Sequence, residues 1–469
     1  MQLANRLQTF LERHRTRFEL RPHTPTRTLY EAAAASGLQQ QQLVRGVLLQ
    51  DGRGLLLAVL PAERLIDFHA LQQHFGRSLQ PAPPPVVNAT FSDCETGSVP
   101  PLGEPYGVET VVDETLLQAG EVCFEPGYHN CLACMPGDQF QTLHAASATL
   151  AISRSLAVLE SRDPRDFLLP GQFERNHPLE ALRPAAELRR QIESIERLPA
   201  MPEMARRLLR VRNDPNATVR DLTDVIQADP SLTAQIIRYA RSALFNFQGK
   251  VDTLEQATAR VLGFETVLNM ALGLAASRTF RNPADGPLGL QAFWQHATYS
   301  AALAQTLASA VRGQLAINPG VAYLCGLLHN FGFLLCGHLF RSEFFLLNRL
   351  VAANPHVPVT LIEKRLTGAP HTETGSWLMQ AWDMPEAVAV ACREHHNEAY
   401  AGDHALYANL TLLVDTLLRG HGIGEGAEGE PPVMLLNALG LTPSEARTLT
   451  AGVLDGRDAL DAMARQLAA

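Results

Sequence analysis

The chain reads as a multidomain protein, with an α+β domain at its N-terminus followed by an all-α domain. Three observations carry that reading. Before residue 150, short apolar runs alternate with Gly, Pro and Asp turn signals, and two of them, LVRGVLLQ and GLLLAVLP, flank Asp51-Gly52, as the arms of a hairpin would. From 197 onward apolar residues recur at helical spacing instead. Between the two, 151–190 is rich in arginine and proline and lacks a sustained apolar period. The expected division is 1–150, a linker at 151–190, a helical domain at 191–420 and a helical tail at 421–469.

In order, the sequence predicts a helix over 3–18, an alanine-rich helix over 28–36, the hairpin, the helix LIDFHALQQHFG, and a PAPPPVV break at 81–87. VVDETLL, EVCFEPG and NCLACMPG then read as short strands. In the second half, Thr218 and Asp221 make a capping box ahead of Leu222, Val225 and Ile226. Asp229-Pro230 supplies an N-cap and a first-turn proline for SLTAQIIRYARSAL. GIGEGAEGEPP breaks the pattern near 422, and Thr442-Pro443-Ser444-Glu445 starts a helix beyond it.

Composition narrows the class. Apolar residues make up 46% and charged residues 19%, as in ordinary globular domains. A net charge of −9 gives no global pull toward nucleic acid. Lys250 and Lys364 are the only lysines, which excludes a P-loop. The arginines at 189, 190, 197, 206, 207, 210 and 212 are interspersed with glutamates and read as a solvated helix face. The seven cysteines are odd in number and scattered, and no signal peptide pattern precedes them. Thiols in a reducing cytoplasm are therefore expected. The uncharged stretch 321–340 is long enough to cross a bilayer, but His329 and Asn330 fall at its centre. A buried helix that carries a polar site fits better, and no membrane association is expected.

The main chemical signal is a ladder of histidines: His296, His329-Asn330, His371 and His395-His396, with Asp415 beyond. Imidazoles and a carboxylate converging from several helices would make a metal site. The order LPxxPE, ADPSLTAxII, RVLG, FWQHA, GLLHN and EHH over 190–400 resembles the HDOD family, helical bacterial signalling domains related to HD phosphohydrolases. The resemblance implies that His296, His329, Asn330, His371, His395, His396 and Asp415 correspond to a degenerate HD metal site. A divalent iron, manganese or zinc ion is the cofactor this implies. The HD dyad aspartate is replaced by Asn330, and Phe333 stands where the HDIGK form has lysine. An amide coordinates weakly and without charge. Three readings follow: a non-catalytic signalling module, a metal-holding sensor, and an HD-type phosphohydrolase.

Residues 25–147 resemble the YbaK/prolyl-tRNA-editing family of aminoacyl-tRNA deacylases, on YEAAAASGL, the hairpin, LIDFHALQQHFG, TGSVPPLG, VVDETLL and FEPGYHNCLACMPGDQF. The resemblance implies a pocket built from Arg45, Gly97, Pro100, Gly103 and His129, with Asp138 nearby. Arg45 stands where active relatives carry lysine. Its guanidinium keeps the charge that could meet the 3′ end of a tRNA but binds as a fork rather than a point. The Gly97–Gly103 turn would present backbone N–H groups to an ester carbonyl. Cys131 and Cys134, with His129 and Cys123 close by, imitate half a zinc site. On a strand, however, positions 131 and 134 point to opposite faces. The expected molecule is a cytoplasmic bacterial regulator with a deacylase-like ligand-binding domain and protein partners. A trans-editing deacylase that binds tRNA is the alternative, and self-association is a further expectation for the tail.

Overall fold

The computed structural model describes residues 3–23, 29–95, 97–160, 182–194, 198–242, 247, 249–277, 279–280, 282–283, 286–311, 317–354, 357–424 and 431–468. Most of the predicted linker, Arg197, Thr96 and the centre of the GIGEGAEGEPP break lie outside them. The chain forms two compact units. One comprises Met1–Pro184 with Arg349–Leu366, and the other Ala185–Asn348, Thr367–Glu425 and Pro431–Ala469.

In the first unit, helix α1 (Asn5–Arg13) leads into β1 (Glu19–Pro22) and α2 (Leu29–Ala35). The hairpin follows as β2 (Val44–Asp51) and β3 (Gly54–Pro61), paired from Val44↔Pro61 to Asp51↔Gly54, so Gly52 and Arg53 form its tip. Then come β4 (Arg64–Ile66), α3 (Phe68–Phe75), β5 (Gln80–Pro81), α4 (Pro84–Thr90), β6 (Thr110–Asp113), β7 (Glu121–Phe124), β8 (Cys131–Pro136), α5 (Gly137–Leu143), β9 (Ala148–Leu150) and β10 (Ser153–Ser155). The strands make a five-stranded sheet in the order β5-β2-β3-β6-β9, a three-stranded sheet β1-β8-β7, and the pair β10-β4.

Strand β3 is central and buried on both faces. Leu57 and Val59 pack into one core, and Leu56, Ala58 and Leu60 into another. Each of these leucine and valine side chains contributes about 1.5–3 kcal/mol relative to exposure. VVDETLL is only half a strand. Asp113 ends β6 and its carboxylate accepts the Thr115 N–H at 3.1 Å, turning the chain into a short 3₁₀ helix over Glu114–Gln118. The segment Arg349–Leu366, inside the predicted helical domain, groups with this unit. There the buried Asn354 Oδ1 accepts the Ile66 N–H at 3.1 Å.

The second unit is helical among its described residues. It runs α6 (Ala185–Glu193), α7 (Glu203–Asn213), α8 (Val219–Gln227), α9 (Pro230–Ala240), α10 (Leu254–Gln256), α11 (Phe264–Ser277), α12 (Leu290–Ala310), α13 (Pro319–Leu328), α14 (Phe331–Leu339) and the start of α15 (Arg341–Ala353), whose residues from Arg349 on group with the first unit. It resumes, after α16 (Val359–Leu366) in the first unit, with α17 (His371–Ala381), α18 (Glu386–Glu394), α19 (Ala405–Arg419), α20 (Val433–Ala438), α21 (Pro443–Asp455) and α22 (Arg457–Ala468). The Thr218–Asp221 capping box forms, the Asp229 carboxylate caps α9, and Thr442 with Glu445 makes a second capping box at α21. The arginine cluster is a solvated face: Arg206 and Arg210 both reach Glu203, at 2.8 and 3.1 Å, and Arg189 reaches Glu193 at 2.9 Å. The apolar stretch Pro319–Leu339 is mostly buried inside the protein. It breaks into α13 and α14 at His329-Asn330.

Candidate functional site

In the helical unit the ladder closes into one polar centre. His296 projects from α12 and Asp415 from α19, while His329 caps the C-terminus of α13 and Asn330 the N-terminus of α14. His371 begins α17, and His395 caps α18, followed by His396. Helix ends suit this job, because their unpaired carbonyls need donors. His329 Nδ1 lies 2.8 Å from the Gly326 carbonyl, and His395 Nδ1 lies 2.8 and 3.1 Å from those of Cys392 and Ala391. At His395 those acceptors put the proton on Nδ1 and leave Nε2 as a lone pair facing inward.

The groups sort into two triads: His296, His329 and Asp415, and His371, His395 and His396. In the first, His296 donates from Nε2 to Asp415 Oδ1 at 3.1 Å and accepts at Nδ1 from Asn330 Nδ2 at 3.3 Å. Asn330 thus completes a chain that an aspartate would break, since a carboxylate has no proton to give. His329 Nε2 faces the same Asp415 oxygen at 3.4 Å. Burial would raise the Asp415 pKa, but the facing imidazoles of His329 and His296 outweigh it and hold the carboxyl well below its usual range.

In the second triad, His371 Nε2 lies 3.3 Å from both His395 Nε2 and His396 Nε2. Two imidazoles bound to one tetrahedral ion at about 2.0–2.1 Å stand about 3.3 Å apart, so this spacing fits a shared cation. Burial first, and then the neighbouring imidazoles, push His395 and His396 well below the usual histidine range. Both are neutral, the form that ligates metal. Phe333 stacks on His371 with ring centroids 4.0 Å apart, so the residue in the lysine position of HDIGK holds an imidazole in plane. The centre is buried except at His396, which is partly exposed: His329 and His395 are 0% exposed, His371 1%, Asp415 2%, Asn330 3% and His296 5%.

In the sheet unit the pocket residues sit on two loops and β2. Gly97 (φ +88) lies beside His129, and a Cβ there would stand 3.9 Å from its Nε2. Pro100 lies over β2, where a Cβ at Gly46 would come 3.1 Å from the Pro100 carbonyl oxygen. The Gly103 carbonyl accepts from Tyr106 and Val108 N–H at 2.9 and 3.1 Å and closes the loop. Arg45 is buried on β2. Asp138 lies in the first turn of α5, where its carboxylate accepts the Gln139 N–H.

Sequence reasoning missed three groups here. Glu125 accepts from His129 Nδ1 at 3.1 Å, and Glu95 accepts the His129 backbone N–H at 2.8 Å. His144 is buried at the end of α5 and close to the Pro101 main chain. A Glu-x-x-x-His spacing was legible for the first; the others depend on contacts made only in the fold. The cysteine expectation needs correction. Cys131 and Cys134 do not pair, as expected, but Cys134 is joined to Cys123, its neighbour across β7 and β8.

A helical domain with a histidine centre, preceded by a small mixed-sheet domain with a glycine-rich loop, defines a class of two-domain regulators. The HDOD domain family model matches residues 198–398, and the aminoacyl-tRNA editing domain model matches 23–143. A crystal structure of a protein from Marinobacter aquaeolei VT8, described as a signal transduction protein, is 30% identical over 100% of both chains, with a TM-score of 0.71. The chain belongs to this family, which joins an aminoacyl-tRNA editing domain to an HDOD domain. A structure described as a trans-editing enzyme for prolyl tRNA synthetase is 26% identical over 32% of this chain and 96% of its own, with a TM-score of 0.29. An uncharacterized protein of Treponema pallidum (strain Nichols) is 25% identical over 227 residues, 47% of this chain. The match spans 43% of that curated relative.

Proposed function

We propose that the chain is a regulatory protein whose HDOD unit holds a divalent metal as a non-hydrolytic centre and whose editing-type unit binds an aminoacylated tRNA end or a similar small ester. The observation that carries the first half is the convergence of the His395 and His396 Nε2 atoms on that of His371, each at 3.3 Å, with His395 and His396 both neutral. Three imidazoles suit zinc or iron better than magnesium or calcium. When bound, such an ion would tie α17 to the end of α18, and a partner protein would read that arrangement. The first triad supports the non-hydrolytic reading, because Asn330, His296 and Asp415 are already joined in one hydrogen-bonded chain.

The second half rests on the Gly97–Gly103 loop, the Glu125–His129 pair and Arg45. The loop offers backbone donors, and Arg45 carries the charge for a phosphate or a 3′ end. Substrate deacylation is the reading this pocket favours if it turns over, with tRNA placing the action in the cytoplasm. Protein partners and self-association through the tail complete the proposal.

Metal content tests it. Untagged protein should carry about one iron, manganese or zinc per chain by plasma mass spectrometry. His371→Ala should lose the metal, and Asp415→Asn should keep most of it. Metal-free wild type, or equal loss in both variants, would make the second triad a hydrogen-bonded core and remove the metal from the proposal.

A further inference from the structure

Cys123 and Cys134 face each other in the β7–β8 register and are disulfide-bonded, with Cα atoms 4.1 Å apart. That is the close spacing of an antiparallel pair. Packing identifies the face they share. Cys123, Leu132 and Cys134 gather with Ala32, Ala33 and Leu43, whereas Phe124, Ala133 and Met135 belong to the opposite side. Cys131 therefore alternates away from Cys134.

The bond spans a sequence separation of 11, and the loop it closes contains both Glu125 and His129. Two further ties hold that loop: the Ala4 N–H donates to the Pro126 carbonyl at 3.0 Å, and the Glu95 N–H to that of Gly127 at 2.8 Å. We infer that Cys123 and Cys134 are a thiol–disulfide modification site whose oxidation state sets how firmly the Glu125–His129 loop is held. The co-reactant class is a low-molecular-weight disulfide of the glutathione type. One protein thiolate attacks it, forming a mixed disulfide and releasing one small thiol. The second protein thiolate then attacks the protein sulfur of that bond, which closes Cys123–Cys134 and expels the second small thiol. Two electrons pass to the small disulfide, and the two protein thiol protons end on the two released thiols.

Both sulfurs lie buried among Ala32, Ala33 and Leu43, so exchange waits on local opening around α2 and is slow. In a reducing compartment the dithiol is the resting state and oxidation is the signal. The inference bears on the pocket that the proposed reading assigns to an aminoacyl ester, but its test reads the loop alone.

Full-length protein is held for hours in glutathione buffers from fully reduced to fully oxidised, acid-quenched and alkylated. Its peptides are then mapped, and amide hydrogen exchange over 124–131 is followed in both end states. A Cys123–Cys134-linked peptide that disappears on reduction is expected, with loop amides exchanging several-fold more slowly when oxidised. The Cys123→Ala/Cys134→Ala variant should keep the reduced-state exchange in every buffer; if it does not fold, the wild-type comparison decides alone. No linked peptide in any buffer, Cys134 linked to another cysteine, or equal loop exchange in both states overturns the inference. A loop that responds in a protein that neither binds nor cleaves an aminoacyl ester keeps this inference and removes the editing reading.

Discussion

The two units hold their polar groups by different means. In the helical unit, His329, Asn330, His371 and His395 sit at helix termini, where backbone carbonyls orient the rings of His329 and His395. In the sheet unit, His129 hangs between two loops and is held by carboxylates 4 and 34 residues away in sequence. A centre built on helix ends is rigid and tolerates few substitutions. A pocket built on loops moves more readily and is easier to regulate.

The largest expected effect strikes the helical centre. Asn330 is 3% exposed and donates to His296 Nδ1 at 3.3 Å. Asn330→Asp replaces that donor with a second buried carboxylate beside Asp415. In metal-free protein this should cost about 3–5 kcal/mol, the range for an uncompensated buried charge. Added zinc or manganese should recover much of it, through a centre that now has a charged ligand. Thermal melts with and without metal check this, and phosphodiesterase assays on the same variant test the hydrolase reading. Activity that appears with metal would mean that only the missing charge keeps this centre silent. A variant as stable as wild type without metal would contradict the hydrogen-bond chain drawn here.

The next effect tests the second triad through packing. Gly332 follows the His329-Asn330 break, and a Cβ there would overlap the His371 carbonyl oxygen and come within 2.6 Å of the His371 Cα. Both are backbone atoms, so α14 and α17 would have to separate. Gly332→Ala should cost about 3 kcal/mol, the upper part of the overpacking range. Because His371 moves with α17, metal content should fall as well. A melting temperature within a degree of wild type would show that the two helices have slack.

How much of this was legible follows the same division. The ladder could be read because each histidine stands in a short motif with helical spacing. Its partition into two triads could not, because it depends on which rings the packed helices bring together. The hairpin was legible from Asp51-Gly52, yet the tip falls at Gly52-Arg53, one residue on. Alternation correctly separated Cys131 from Cys134, but finding Cys123 as the partner required the β7–β8 register. The grouping of Arg349–Leu366 with the sheet unit had no local signal, since its helical pattern is as good as that of its neighbours.

The smallest effect belongs to the sheet unit and is a pH dependence. His144 packs on Phe140 with ring centroids 4.6 Å apart. Burial, partly offset by the Pro101 main chain, pushes its pKa down to about 4. In the unfolded chain the imidazole titrates near about 6.5. Between those values the unfolded state binds the extra proton, so stability rises with pH. The contribution is whole above the unfolded value and fades as the pH falls toward 4. Wild type should therefore lose about 2 kcal/mol relative to His144→Gln as the pH drops from about 6.5 to 4. Urea unfolding of both full-length proteins across that window measures the difference. Divergence of the two curves would place a neutral, buried His144 under the Gly97–Gly103 loop, and mild acid would then loosen that loop. Parallel curves would mean that the His144 ring reaches water, and the contrast between a rigid centre and a yielding pocket would lose its main support in the sheet unit.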